Sequence, residues 1–303
     1  MPASSSLSFE SFIDELFLND SRIDELLFDG FESLCTIAGD VKCYQTSPLS
    51  GYSIAKLQDF AYSQGVRWDP MQPAAGGCFS VNAESGVRHY RWHGLLAPVA
   101  RDGLLLSVRR HRLGEFCLSD FLPDAEQESA LKYLDSHHPV FVMGPTGSGK
   151  TSFMVSALLH CAAEERLAIL EQIPEVPKLS PRWIRLCAQS ANLSGEGSVS
   201  LEYLIDELLR LRPDRMIIGE LRREEIFAYK RALLAGHASV WTTIHAANAE
   251  ELPWRLAELG AASREEWEEI LVSHSALVVV LSRQSPRFRG LWQFTDAGII
   301  SCF

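Results

Sequence analysis

The chain has 303 residues, 47% of them hydrophobic, with a formal charge of -11. That length carries two domains or one large one with a substantial core, and the acidic balance argues against a strongly basic nucleic-acid-binding surface. Seven Cys without a C-x-x-C pair support neither a zinc knuckle nor a disulfide framework, and point to reduced thiols.

From the amino end, Phe9, Phe12, Ile13, Leu16 and Phe17 recur at helical spacing, and Ile23, Leu26 and Leu27 predict a second short helix. Asp29-Gly30 is a turn signal. A strand pair over 33–37 and 41–45 follows, turning at Gly39-Asp40. Residues 54–64 read as a helix stopped by Gly65 and Pro70. Gly76-Gly77 and Gly86 predict short, punctuated extended segments, followed by strands over 90–96 and 104–109 with a turn at 101–103. This α+β module is expected to span 1–123.

From Asp124 onward strands and helices alternate, as expected of a sheet covered by helices. Helices are predicted over 126–134, 151–163, 199–211, 224–234 and 263–271. Strands are predicted over 140–143, 167–170, 184–187, 215–218, 240–243 and 276–281, with an exposed loop over 189–198 and a terminal hairpin at 290–294 and 298–301. The second domain is thus 124–303. Met1-Pro-Ala-Ser-Ser-Ser lacks the basic and apolar regions of a signal peptide, and no segment reaches the length of a transmembrane span. Any membrane association is expected to be peripheral, through a partner.

Gly144-Pro145-Thr146-Gly147-Ser148-Gly149-Lys150-Thr151 fits G-x-x-x-x-G-K-[ST] at every fixed position, between an apolar strand and a helix. Backbone N–H groups along such a loop surround phosphate oxygens. Lys150 would meet the β and γ phosphates of ATP, and Thr151 would give Mg²⁺ a hydroxyl ligand. Met216 to Glu220 is an apolar strand ending in a carboxylate, suited to polarising a water or holding Mg²⁺. Trp241-Thr-Thr-Ile-His245 is a strand with a polar end, where Thr243 or His245 could sit beside the γ phosphate and report on it. Glu171 and Glu175 close the strand after the phosphate-loop helix and are water-positioning candidates. Among the arginines, Arg91 and Arg109 lead as groups that neutralise phosphate charge from another domain or subunit.

In that order these boxes resemble the traffic ATPases of bacterial secretion and type IV pilus systems, and most of all the branch serving type IV secretion, conjugation and tight-adherence pili. Gly144–Thr151 resembles the Walker A loop, 170–175 the acidic box, 211–222 the Walker B region, and Gly236-His237 with Thr243–Ala246 the histidine box. Residues 91–98 and 106–110 resemble the segment ahead of the ATPase domain, whose arginines approach nucleotide. The resemblance implies a RecA-like P-loop ATPase domain preceded by a smaller PAS-like α+β domain. It implies that residues 144–152, including Ser152, bind nucleotide, that Thr151 and Glu220 hold Mg²⁺, and that Glu220, Glu171, Glu175, His245, Arg91 and Arg109 serve catalysis. It further implies a cytoplasmic homo-hexamer at the inner membrane, working with platform or channel proteins; direct nucleic-acid binding is not expected, given the charge of -11 and no evident basic, aromatic strand-binding groove. Gln172 stands where the family commonly has Asp, and Ser152 where Thr is usual. Gln172 removes a negative charge near the metal and motivates the alternative of a nucleotide-binding regulatory subunit with little hydrolysis.

Overall fold

The computed structural model describes residues 8–303 apart from 40, 84–85, 102, 112–115, 173, 177, 190, 193, 238 and 286. Parts of three expected turns and loops, at Asp40, Asp102, Ser190 and Leu193, lie outside that set. The chain divides into two compact units: Met1–Arg112 with Ile173–Pro177 and Ala191–Ser198, and Leu113–Gln172 with Lys178–Ser190 and Val199–Phe303.

The first unit is built on a six-stranded sheet. Its strands are β1 (Glu25–Asp29), β2 (Ser33–Ala38), β3 (Val41–Thr46), β4 (Ala74–Ala83), β5 (Gly86–Leu96) and β6 (Leu104–His111), in the order β3-β2-β1-β6-β5-β4, all antiparallel. Helices α1 (Phe9–Asn19) and α2 (Ile54–Ser63) begin at Ser8 and Ser53, whose hydroxyls accept the backbone N–H of Ser11 and Lys56. Phe9, Phe12, Ile13 and Phe17 of α1 and Leu57 and Phe60 of α2 join Tyr90, Trp92, Leu106 and Val108 in one core. Burying an aromatic side chain of this kind contributes about 1.5–3 kcal/mol. One charged group is taken into that core. Asp14 is 6% exposed and accepts from Arg88 at 2.6 Å and from Tyr90 Oη at 2.5 Å.

Two expectations fail in this unit. The segment around Leu26 is the strand β1, lying between β2 and β6, and not a second helix. Three apolar residues in a short window fit either period; two neighbouring strands that bury Leu26 and Phe28 decide the matter. The glycine-rich stretch is equally continuous: β4 runs ten residues straight through Gly76-Gly77. Its glycines make room and do not break the strand. A Cβ on Gly77 would lie 3.1 Å from Trp92 Nε1, and one on Gly94 of β5 would lie 2.2 Å from the ring of Trp68.

The second unit carries an eight-stranded sheet in the order β14-β13-β12-β7-β11-β10-β8-β9. Six strands are parallel: β7 (Val140–Met143), β8 (Leu167–Glu171), β9 (Ile184–Cys187), β10 (Arg215–Glu220), β11 (Val240–Ile244) and β12 (Leu277–Leu281). β13 (Phe288–Thr295) and β14 (Gly298–Ser301) extend one edge as an antiparallel hairpin. Every residue of β7, β8, β11 and β12 is buried, as in parallel strands covered on both faces. The helices are α3 (Asp124–Leu134), α4 (Lys150–Cys161), α5 (Leu201–Leu209), α6 (Glu225–Leu234), α7 (Leu252–Leu259) and α8 (Arg264–Ser273). α7 has no counterpart among the helices expected from the sequence. Pro253 lies in its first turn, where the missing N–H costs nothing, after a 3-10 turn (Ala249–Glu251) capped by Asn248. Among the described residues no helix is long and apolar enough to cross a membrane.

Candidate functional site

The carboxyl ends of β7, β10 and β11 converge, and that is where parallel α/β sheets place their ligands. After β7 the chain leaves the sheet through Gly144 at φ +147° and enters α4 through Gly149 at φ +88°. Both positions require glycine twice over. A Cβ on Gly144 would meet Leu281 O at 2.4 Å, and one on Gly149 would meet the ring of Phe121 at 2.9 Å. Ser148, in the same loop, is fully buried, and its hydroxyl has no partner among the described residues. A tight loop of three glycines, a helix start and an orphaned hydroxyl suit a polyanionic ligand such as a phosphate chain.

Lys150 begins α4 and folds back over this loop. Its ammonium donates to Gly144 O at 3.0 Å, Pro145 O at 3.2 Å and His245 Nδ1 at 3.3 Å. An ammonium has only donors, so Nδ1 must accept and Nε2 carries the ring proton. That Nε2 lies 2.7 Å from Glu220 Oε1. The other carboxylate oxygen, Oε2, accepts from Arg222 Nη2 at 2.8 Å and Nε at 3.2 Å. Lys150, His245, Glu220 and Arg222 are thus one hydrogen-bonded chain across three elements. Burial pushes the Lys150 ammonium below its usual range, with the Glu220 charge working the other way. Burial also opposes charge on Glu220, but Arg222 leads the groups that hold its carboxyl below the ordinary value. Glu220 therefore stays charged near neutral pH.

A one-residue register shift positions Glu220. Ile218 pairs with Thr242 and Glu220 with Thr243, so Gly219 bulges between them. Thr242 Oγ1 donates to Gly219 O at 2.9 Å and fixes the bulge. Glu171, at the end of β8 and 6% exposed, packs against it: its Cγ is 3.6 Å from where a Cβ on Gly219 would sit. Thr151 and Ser152 open α4 beside Lys150 and are partly exposed.

The other expected residues lie in the first unit. Glu175 forms an ion pair with Arg91 of β5, and its carbonyl meets His111 Nδ1 at 2.9 Å. Cys78 Sγ donates to the neighbouring Pro174 O at 2.7 Å. Arg109 of β6 stands directly across the ladder from Arg91 and is exposed. The two acidic-box carboxylates are therefore divided between the units, one beside Gly219 and the other on Arg91. Arg222 was visible in the sequence only as one of several arginines bracketing a strand. Among the described residues no group of three His, Cys, Asp or Glu could hold a metal ion by itself. A Mg²⁺ held by Thr151 and Glu220 would have to complete its shell with phosphate oxygens and so share its ligands with substrate.

Residues 106–287 match the family described as type II/IV secretion system protein. A conjugal transfer protein of Mycobacterium tuberculosis is 32% identical over 209 residues, covering 67% of this chain and 59% of that one. The chain thus spans about three-fifths of the length of the curated relatives it matches first. Among solved structures, the ATPase DotB of Legionella pneumophila superposes with a TM-score of 0.62 at 17% identity, covering 93% of this chain and 78% of that one. The pilus retraction motor PilT with bound ADP gives 0.62 at 18% identity, with 98% and 83% covered. The fold is that of these proteins, a RecA-like P-loop domain with an amino-terminal α+β domain.

Proposed function

The chain belongs to the type II/IV secretion system protein family, and from that premise we propose that it hydrolyses ATP to ADP and phosphate as a motor subunit of a bacterial secretion, conjugation or pilus-like machine. The observation that carries this reading is the chain from Lys150 through His245 to Glu220, closed over the phosphate loop. The phosphate chain of ATP would replace the loop carbonyls as partner of Lys150, and the buried Ser148 hydroxyl would gain an acceptor. Thr151 and Glu220 would hold Mg²⁺, which when bound offsets phosphate charge. Glu220 orients the attacking water, with Glu171 behind the Gly219 bulge to keep the carboxylate in place. His245 connects the cation at the phosphates with the acid at the water. It is thereby suited to register whether the γ phosphate is present. Arg91 and Arg109 would add positive charge at the transition state once Arg91 leaves Glu175.

The subunits would assemble as a hexamer on the cytoplasmic face of the inner membrane, held there by platform or channel proteins. In support, the similar proteins include a conjugal transfer protein, an ATPase and a pilus retraction motor. The cargo would then be set by partners and not by the ATPase site. Gln172 favours a second reading, a nucleotide-binding regulatory subunit with little turnover, since it lacks the acid commonly found beside Glu171. Phosphate release measured on the full chain and on Lys150→Ala separates the two. Mg²⁺-dependent release that falls at least 100-fold in the variant is the expected result. Equal rates in both proteins would sink the enzyme, and tight ATP binding without release would favour the regulatory subunit.

A further inference from the structure

The loop between β12 and β13 lies against the phosphate loop and carries two arginines that no motif marks. Arg283 Nε donates to Thr146 O at 2.5 Å and so ties down the outer side of the phosphate loop. Arg287 lies at the other end. Its Nη1 is 3.7 Å from the position a Cβ on Gly149 would take, and its guanidinium sits 5.9 Å from the centre of the Phe121 ring. Phe121 is only 4% exposed and is wedged edge-on against Phe153, with ring centroids 5.6 Å apart at 87°. It is therefore a rigid backing for a half-buried guanidinium. Neither arginine has a carboxylate partner among the described residues, although the chain carries a formal charge of -11. Two uncompensated cations border a loop that also holds an orphaned buried hydroxyl, Ser148.

Phosphates seated in the loop leave the nucleoside to extend past the start of α4, the end at which Arg287 stands. A nucleobase presents a flat π face. A guanidinium plane braced by an aromatic ring is a surface on which such a face stacks, whereas a lysine ammonium is a point charge without a plane. We propose that Arg287, seated on Phe121, is the platform for the base of the bound nucleotide, with Arg283 pinning the phosphate loop beside it. This rests on the nucleotide-binding reading above and names the part of the nucleotide that this wall of the site takes.

Calorimetric titration of the full chain with ADP and with inorganic tripolyphosphate, which lacks a base, tests it. Arg287→Ala is expected to weaken ADP about tenfold and tripolyphosphate by clearly less, the part owed to charge alone. Arg287→Lys, which keeps the charge and loses the plane, is expected to weaken ADP to nearly the same extent. ADP binding restored by Arg287→Lys would overturn the platform, as would equal losses for both ligands or no loss for either. A wild-type protein that bound neither ligand would instead remove the nucleotide reading itself, and the platform with it.

Discussion

At the scale of single residues, the first unit holds a histidine whose protonation is tied to folding. His111 is pushed down to about 4, first by burial and then by the charge of Arg91, and its Nδ1–H donates to Glu175 O at 2.9 Å. In the unfolded chain the same ring titrates at about 6.5. Between those values the unfolded state binds more protons, so the stability that neutral His111 contributes is fully present above about pH 6.5 and is lost as the pH falls toward 4. By pH 5 the loss should reach about 2 kcal/mol. His111→Gln keeps an N–H donor but cannot titrate. Urea denaturation at pH 7 and pH 5 should show a larger drop in stability for wild type than for the variant, and parallel drops would remove His111 as the cause. Asp14 acts at lower pH. Burial opposes its charge, but bonds from Arg88 and Tyr90 hold it below the usual carboxylate value, so its contribution disappears only in stronger acid.

Elements of both units depend on spaces that glycines leave. In β5 the inward-facing positions are Tyr90, Trp92, Gly94 and Leu96, and Gly94 is the gap into which the fully buried Trp68 fits. Trp68 cannot retreat easily, because its Nε1–H donates to Pro73 O at 3.1 Å and its ring packs on Trp92 with centroids 5.2 Å apart. Gly94→Ala should therefore destabilise the protein by about 1–3 kcal/mol through overpacking. Chemical denaturation with Trp fluorescence measures both the stability and the disturbance of Trp68. A variant as stable as wild type would mean that this strand yields more than its packing implies. Gly144 plays the corresponding part in the second unit, where the β7 end and the β12 end come too close for any side chain.

For the whole molecule, the open matter is how charge reaches the transition state. Lys150 and Arg222 belong to the phosphate-loop unit, while Arg91 and Arg109 stand side by side on the sheet of the other. A site that needs arginines from elsewhere, in the chain or in a neighbouring subunit, should work poorly when subunits are isolated. If the proposed hexamer forms, turnover per subunit is expected to fall on dilution, in step with its dissociation measured by light scattering. Arg109→Ala should lower turnover at least tenfold while leaving the thermal midpoint unchanged. If Arg109 made only a surface ion pair it would be worth about 0–1 kcal/mol and turnover would barely move. Full turnover in a persistent monomer would exclude the ring.

The order of phosphate loop, acid-bearing strand and polar-ended strand is written in the sequence, because each is a local pattern: glycines at fixed offsets, apolar runs that end in Glu220 or His245. The α/β alternation after Asp124 and the antiparallel hairpins before it follow from the same short-range periodicities. What needed the tertiary structure was whatever depends on distant neighbours. β1 is a strand because β2 and β6 flank it, and Gly77 and Gly94 lie within strands because tryptophans fill the space above them. Arg91 and Glu175, 84 residues apart, are partners of each other in this conformation. Arg283 and Arg287 reach the phosphate loop only because β12 lies beside β7 in the sheet. Periodicity and motif spacing report which atoms a segment offers. Which atoms they meet is fixed by strand order and side-chain packing, and these are properties of the folded chain.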